Sequence, residues 1–181
     1  RYVLHSVSKN QFLPRYNGQA AFGSIPMSGV ETNRWVGTIG TTGLEKNVFF
    51  NMMRGIVGKV SWITCENNDF INMIKDITAP SNLSDHGKGI TMASDSLQTA
   101  SNLHVKANNY FYNNLYGIYT ARCNTTVRGV LMDTVRYGVH VRNSYLSTVA
   151  EISSNTINAY FRGIDLLNNA GSGGISVREN F

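Results

Sequence analysis

The stretch FYNNLYGIY, residues 111–119, contains a pattern that recurs along most of the chain. An apolar residue stands six positions before a glycine, and a branched apolar residue follows that glycine directly. Anchored on the glycine position, the copies are separated by 21, 20, 21, 21 and 25 residues, with anchors at Gly55, Asp76, Ser96, Gly117, Gly138 and Gly163. A period of this length is typical of one coil of a β-solenoid and is too short for a repeat of two helices.

The positions that flank the anchors are apolar in every copy, although hydrophobic residues make up only 42% of the chain. Six residues before the anchors stand Phe49, Phe70, Ile90, Phe111, Met132 and Ile157. Directly after them stand Ile56, Ile77, Leu97, Ile118, Val139 and Ile164. Because β-branched and aromatic residues favour a pleated, half-buried surface, the pattern predicts two buried columns of stacked strands. The predicted strands lie near 55–59, 76–79, 97–99, 117–121, 138–142 and 163–167, in one parallel sheet.

A third column, eight residues before the anchors, is rich in asparagine. Its members are Asn47, Asn68, Lys88, Asn109, Val130 and Asn155. An asparagine tolerates the left-handed backbone conformation of a turn, and its amide reaches the asparagine of the next coil about 4.8 Å away. The column therefore predicts a ladder of stacked amides, with its continuity in question at Lys88 and Val130.

The asparagine column, the doublets Asn67-Asn68 and Asn108-Asn109, and the Gly-Ile or Gly-Val strand starts resemble those of right-handed parallel β-helix proteins. These belong to the pectin-lyase-like superfamily, which includes polysaccharide lyases, glycoside hydrolases and phage tailspikes. The resemblance covers residues 44–181 and implies a fold more than an activity. The predicted fold is all-β, a right-handed parallel β-helix with coils of about 21 residues.

Residues 1–43 do not follow the period and are predicted to be an irregular N-terminal segment or cap. The coils occupy residues 44–181. The chain starts with Arg1, and Asn180 repeats Asn155 at an interval of 25 residues, as if a further coil had begun. We expect a piece of a longer β-helix, or else a last coil that packs against a partner chain.

The charge balance favours an acidic partner. The net charge is +5 and the pI is near 9.3, while charged residues make up only 15% of the chain. No run of Lys or Arg is present, which argues against a nucleic-acid partner, and no stretch of 18 apolar residues predicts membrane insertion. Cys65 and Cys123 fall in different columns about two coils apart, too far for a disulfide. Neither a cofactor nor a metal site is predicted, since no zinc-type spacing occurs.

The outward positions of the last coils suggest a site. Two residues after the last three anchors come Tyr119, His140 and Asp165, and two residues further along the middle strand comes Arg142. His140 and Asp165 are the candidate catalytic groups, as acid or base. Tyr119 and Arg142 are the candidate substrate-binding groups, for a sugar ring and a uronate carboxylate. The alternative is that these are ordinary solvent-facing residues with a His–Asp contact.

Other acidic residues offer weaker candidates. A glycosidase needs two carboxylates about 5–10 Å apart, and Asp133 does not share a column with Asp165. Residues 79–89 form a predicted polar loop with a second cluster of Asp85, His86 and Lys88, near Asp95, although such residues more often belong to a solvated turn. Neither a calcium-binding aspartate cluster nor a catalytic-arginine motif of the pectate lyases is present.

Two function classes stay open. The first is glycan recognition, with or without cleavage, by a phage tailspike-like or secreted polysaccharide-degrading protein; as an enzyme it would be a polysaccharide lyase or a glycoside hydrolase. The second is a non-catalytic structural or adhesive solenoid, such as a phage fibre shaft or a surface adhesin. Both imply an extracellular or virion-tail location, and both are compatible with a homotrimer.

Overall fold

The structure, a computed structural model, describes residues 5–7, 10–12, 28–41, 43, 46–73, 87–94, 101–142, 149–167 and 174–181. Within these ranges the chain forms parallel β-strands and no helix. Accordingly, this part of the chain has no helix that could cross a membrane.

One sheet of seven strands runs along one side of the molecule, and all its neighbouring strands pair in parallel. Its strands, in spatial order, are β1 (His5–Val7), β4 (Val36–Gly40), β7 (Trp62–Glu66), β10 (Ser101–Val105), β13 (Cys123–Arg128), β15 (Ala150–Ser153) and β17 (Ile175–Arg178).

The second sheet has ten strands arranged in two rows. The phenylalanine row contains β2 (Gln11–Phe12), β5 (Asn47–Phe50), β8 (Asn68–Ile71) and β11 (Tyr110–Tyr112). The glycine row contains β3 (Ser28–Asn33), β6 (Arg54–Lys59), β9 (Lys88–Ala93) and β12 (Tyr116–Ala121). Two long strands, β14 (Leu131–Arg142) and β16 (Thr156–Leu167), pass through both rows.

Each coil contributes one strand to the seven-stranded sheet, one segment to the phenylalanine row and one to the glycine row. Strands β7, β8 and β9 follow one another in this way, and the next coil repeats the order with β10, β11 and β12. The fold is therefore a parallel β-solenoid of about 5 turns, which confirms the predicted fold class. Right-handed winding stays a prediction.

A stack of aromatic rings forms the centre of the core. The rings of Phe49 and Phe70 lie 4.9 Å apart and those of Phe70 and Phe111 lie 4.8 Å apart, nearly parallel in both pairs. Met132 continues the column fully buried, and Ile157 ends it partly buried. The predicted burial is confirmed at Phe49, Phe70, Phe111 and Met132 but only in part at Ile157, and Ile118 is buried as predicted.

The predicted register is wrong in the middle of the chain. Asn47 bonds to Asn68 across 21 residues, but Asn68 bonds to Asn109 across 41. One coil therefore carries about twice the usual number of residues, and the pattern divided it into two copies, anchored on Asp76 and Ser96. Those anchors and the predicted strands at 76–79 and 97–99 lie outside the described residues. The strand that stands between β6 and β12 is β9.

Strand β9 corrects three sequence assignments at once. Ile90 pairs with Ile56 and Ile118, so it belongs to the glycine row and not to the phenylalanine column. Lys88 pairs with Tyr116 and Arg54, so it is neither a member of the asparagine ladder nor part of the polar loop. Asp85, His86 and Asp95 lie outside the described residues.

The true anchor column consists of glycine throughout: Gly29, Gly55, Gly89, Gly117, Gly138 and Gly163. A Cβ atom on Gly89 would lie 2.7 Å from the carbonyl oxygen of Gly117 and 2.7 Å from Cδ1 of Phe111. Glycine is required because the backbone of the next coil and the phenylalanine column both approach this point too closely for a side chain.

The asparagine ladder is present, and the two residues of each doublet have different roles: the first forms the turn and the second bonds to the next coil. Asn67 and Asn108 adopt the left-handed conformation, with φ of 57° and 66°. Asn68 then donates an amide hydrogen to Oδ1 of Asn109 at 2.9 Å, in the buried interior. Val130 does interrupt the amide stack, but its backbone N–H still donates to Oδ1 of Asn155 at 3.0 Å.

The described parts of residues 1–43 include β3 and β4, which pair in parallel with β6 and β7. A domain boundary at residue 44 stays a prediction. Cys65 and Cys123 are buried free thiols, as expected. Burial raises the pKa of the Cys65 thiol far above its ordinary range and that of Cys123 to about 12, so both remain protonated.

Candidate functional site

The glycine row places the predicted site residues side by side. Tyr119 pairs with His140 and His140 with Asp165, so the three occupy one column of three successive coils. Arg142 lies two residues further along β14, on the same outer face. The strand register therefore brings the four residues together as expected, while their catalytic and substrate-binding roles stay predictions.

The carboxylate of Asp165 contacts both the His140 imidazole and the Arg162 guanidinium. Nδ1 of His140 lies 2.9 Å from one oxygen of Asp165, and the Arg162 guanidinium lies 2.7 Å from the other. An ionised carboxylate only accepts hydrogen bonds, so Nδ1 of His140 is the donor in this pair. A neutral imidazole then has its lone pair on Nε2, which is the arrangement of a general base.

Aromatic rings surround the His140 imidazole. The Tyr119 ring stacks on it with centroids 5.0 Å apart and an interplanar angle of 7°. Tyr116 and Tyr137 stack on each other at 4.6 Å and present their edges to His140 at 5.7 and 6.1 Å. The ammonium group of Lys88 lies 3.8 Å from the centre of the Tyr119 ring, a cation–π contact. We call these residues, with Asp165, the tyrosine–histidine cluster.

Burial shifts the pKa values of His140 and Tyr116 in the cluster and favours the uncharged form of each. Loss of solvation lowers the pKa of His140 below its ordinary value near 6.5, although Asp165 acts in the opposite direction. The positive charges of Arg142 and Lys88 lower it further. Loss of solvation also raises the pKa of Tyr116. At neutral pH the cluster therefore holds an uncharged imidazole and an uncharged phenol.

The exposure of the site differs from the prediction. His140 and Asp165 point outward but are only 6% and 7% exposed, because neighbouring side chains, including the tyrosine rings, cover them. Tyr119 is half-buried. Arg142 is exposed, and among the described residues its guanidinium forms no ion pair. The expectation that the whole column faces solvent was wrong for the His–Asp pair.

Next to the covered pair lies an exposed aromatic residue that the sequence did not indicate. Phe161 is 54% exposed and meets the edge of Tyr137 at 5.2 Å. The guanidinium groups of Arg136 and Arg162 lie 5.4 and 5.3 Å from the centre of its ring. An apolar ring between two cations is thus accessible from solvent beside the cluster.

Sequence reasoning missed Tyr116, Tyr137 and Arg162, and it assigned Lys88 to a different cluster, although a signal existed. All four stand directly before a glycine of the true anchor column. Strict alternation along a strand would put Tyr116 inside, because Ile118 is inside. Gly117 and Ile118 are both buried, so inward and outward positions do not alternate strictly at this point of β12. As a result, the Tyr116 ring lies beside the outward ring of Tyr119.

Other chemistry is limited in the described residues. Asp133 lies in the segment of β14 that pairs with the phenylalanine row, where it accepts a hydrogen bond from Asn158 at 2.8 Å. It is therefore not a partner for Asp165. No group of three or more His, Cys, Asp or Glu residues in the described ranges is placed to hold a metal ion.

Comparisons with family models, with curated proteins and with solved structures found no match to this chain. The evidence for the solenoid fold is therefore the strand pairing alone, and the resemblance to the pectin-lyase-like superfamily stays a prediction.

Proposed function

We propose that the protein recognises an acidic polysaccharide across the outer face of the glycine row. One observation carries the proposal: Tyr119, His140 and Asp165 lie side by side in successive coils, beside Arg142, which is exposed and forms no ion pair with any described residue. Successive coils repeat every 4.8 Å or so, which gives an extended surface suited to a polymer. The net charge of +5 favours an anionic one.

Each exposed group has a role in this proposal. The planar guanidinium of Arg142 would bind a uronate carboxylate through two hydrogen bonds. The accessible ring of Phe161 and the half-buried ring of Tyr119 would stack on the apolar faces of sugar rings.

His140 and Asp165 are the proposed groups for proton transfer. In elimination from a uronate, a base takes the proton next to the carboxylate, the bond to the leaving oxygen breaks, and that oxygen gains a proton from the protonated base or from water; hydrolysis requires a pair of carboxylates. The tyrosine–histidine cluster contains an uncharged imidazole and a single carboxylate. These groups therefore match a lyase better than a glycoside hydrolase, provided that the covering tyrosine rings move to admit the substrate.

The proposal has consequences for where the protein acts. Acidic polysaccharides of this kind lie on cell surfaces and in extracellular matrices, so we propose an extracellular or virion-tail location. A phage tailspike or a secreted polysaccharide-degrading β-helix protein would combine this fold with this ligand, and a homotrimer is the assembly to examine first. A structural or adhesive solenoid would have the same fold without the glycan affinity.

The test compares acidic polysaccharides (polygalacturonate, alginate and hyaluronate) with neutral dextran and mannan. Binding is measured by titration calorimetry, and turnover by reducing-end release and by the ultraviolet absorbance of unsaturated uronates. Since a hydrogen bond to a charged group contributes about 1.5–3 kcal/mol, Arg142→Ala should weaken binding of the acidic ligand about ten-fold or more. Added salt should weaken it as well, because the contact is exposed.

The matched control is Arg128→Ala, which removes the same charge from the seven-stranded sheet, where Arg128 pairs with Glu151. It should leave acidic-glycan binding unchanged. Equal losses in both variants would mean that net charge alone attracts the ligand. Absence of binding to every acidic polysaccharide would refute the proposal and favour the structural or adhesive class.

A further inference from the structure

A second candidate site lies on the seven-stranded sheet, away from the tyrosine–histidine cluster. An open groove of about 330 Å³ crosses the outer face of three neighbouring strands, β4, β7 and β10. Its lining residues are Val36, Gly37, Thr38, Trp62, Ile63, Thr64, Asn102 and His104. The volume falls at the lower end of the range for small-ligand sites.

The strand register explains how this groove is assembled. Val36, Trp62 and Asn102 pair directly across the three strands and form one outward column. Two residues further along each strand, Thr38, Thr64 and His104 form a second outward column. Strands β4, β7 and β10 are all internal to the sheet, so their backbone groups are paired on both sides. A ligand can therefore meet only side chains here, and an added peptide strand has no free edge to pair with.

Trp62 provides the apolar surface. Its indole is 57% exposed, and Val36 extends the apolar patch beside it. Single exposed hydrophobic residues are common on protein surfaces. The position of Trp62 is informative because the indole lines a groove and because, in the described ranges, its ring N–H has no hydrogen-bond partner. A flat apolar ring with a free donor at its edge suits a ligand that is apolar on its face and polar at its rim.

Polar groups surround the indole and are available to a ligand. The Thr38 and Thr64 hydroxyls and the His104 imidazole form no hydrogen bond with any described residue. The Asn102 carboxamide is held in place because its oxygen accepts a hydrogen bond from the amide of Asn124 at 2.8 Å. Asn124 is fixed in turn by the backbone N–H of Val149 at 3.0 Å. The amide hydrogens of Asn102 are thus oriented and not used by Asn124.

The absence of charged residues from the lining of the groove favours an uncharged ligand. None of the eight lining residues is Asp, Glu, Lys or Arg. We infer that this groove binds a neutral saccharide, with a sugar ring stacked on Trp62 and its hydroxyls bonded to Thr64, Asn102 and His104. A charged ligand would lose its hydration here without gaining an opposite charge. The inference is independent of the proposed recognition of acidic glycans, which uses the glycine row.

Tryptophan fluorescence can report on this groove specifically, because the chain has only two tryptophans. Trp35 packs against the core, so Trp35→Phe preserves an aromatic ring there and leaves Trp62 as the only indole. The probes are four neutral hexasaccharides (cellohexaose, maltohexaose, mannohexaose and galactohexaose) titrated to millimolar concentration, with hexagalacturonate as the charged comparison. We expect at least one neutral probe to change the Trp62 emission with saturation, unaffected by added salt.

Two further variants test the contacts by calorimetry with that neutral probe. Trp62→Ala should weaken binding about ten-fold or more, and His104→Ala at least several-fold. Both side chains are exposed, so neither change should unfold the protein, which circular dichroism checks. The inference is overturned if no neutral hexasaccharide alters Trp62 emission, if hexagalacturonate binds there more tightly, or if both alanine variants bind the probe as well as the parent protein.

Discussion

The glycine column gives the most direct test of the coil stacking. A Cβ atom added at Gly55 would lie 2.5 Å from the carbonyl oxygen of Gly89 and 2.6 Å from Cδ1 of Phe70. Neither neighbour can withdraw easily, because one belongs to the backbone of β9 and the other to the buried phenylalanine column. At Gly163, the last member of the column, the nearest atom to an added Cβ would be 3.8 Å away. Gly55→Ala and Gly163→Ala are therefore matched in chemistry and differ in available space.

The magnitude follows from two opposing effects. Replacing glycine by alanine stabilises a protein by about 0.4–1 kcal/mol where the conformation allows it, because the unfolded chain loses freedom. This gain applies to both variants. Overpacking in a close-packed interior costs about 1–3 kcal/mol and applies to Gly55→Ala alone. We therefore expect Gly55→Ala to be less stable than Gly163→Ala by about 1–3 kcal/mol, since the shared gain cancels.

Urea unfolding measures this difference. Circular dichroism and tryptophan fluorescence should give coincident transitions, which would support two-state unfolding, and the slopes should match between variants. The reasoning is refuted if the two variants agree within about 0.5 kcal/mol, the usual effect of a surface substitution. In that case β6 and β9 do not approach each other as the register requires.

The remaining predictions concern the core, the ladder and the site. Ile118→Ala should destabilise the protein by about 2–5 kcal/mol in the same unfolding assay, because the side chain is fully buried. Asn109→Ala should cost about 1–3 kcal/mol, since the backbone N–H of Asn68 would lose its acceptor, and the Asn68 amide and the Cys65 carbonyl would each lose one of their hydrogen bonds; a loss below about 0.5 kcal/mol would contradict the ladder. The folded pKa of His140 lies below its unfolded value, so the unfolded state binds the proton more readily. Stability should therefore be full above about pH 7 and decline as the pH falls through about 6.5, and His140→Gln should flatten that decline in pH-dependent melting.

Much of the fold was predictable because the solenoid repeats its chemistry as well as its spacing. Phe49, Phe70 and Phe111 stack directly on one another, so the same residue type recurs where the environment is the same. Asn68 and Asn109 recur for the same reason, since each amide needs an identical partner in the next coil. These residues identified the columns correctly even where the assumed spacing between them was wrong.

The period itself was not predictable from the pattern. Only the strands need to stack, so the number of residues between them is free to vary, and lengthening a connection costs little. The coil from Phe70 to Phe111 has 41 residues, close to twice the 21 from Phe49 to Phe70. Two false anchors fitted inside it because apolar residues happened to fall near the expected positions.

The site was predictable in its placement and not in its surroundings. Tyr119, His140 and Asp165 could be aligned by counting from three true glycine anchors, because this part of the glycine row keeps its register. Their burial could not be derived in this way, since it depends on rings from neighbouring columns. Lys88 was assigned to the wrong column because it belongs to the long coil.

The long coil, which departs from the 21-residue repeat, also contributes a strand to the candidate site. The extra residues of the long coil enter on both sides of β9, between β8 and β10. Strand β9 supplies Lys88, whose ammonium group contacts the Tyr119 ring, and Thr91, whose buried hydroxyl has no hydrogen-bond partner among the described residues. Insertions in a repeat protein emerge at the ends of its strands and commonly mark the binding face. Departure from the repeat and the unsatisfied Thr91 hydroxyl thus occur at the same strand of the glycine row, while a second unsatisfied hydroxyl, that of Ser28, lies on β3. Local inconsistency of this kind is expected where a sequence serves a ligand as well as its fold, so it supports the proposal that the glycine row beside β9 is the binding surface.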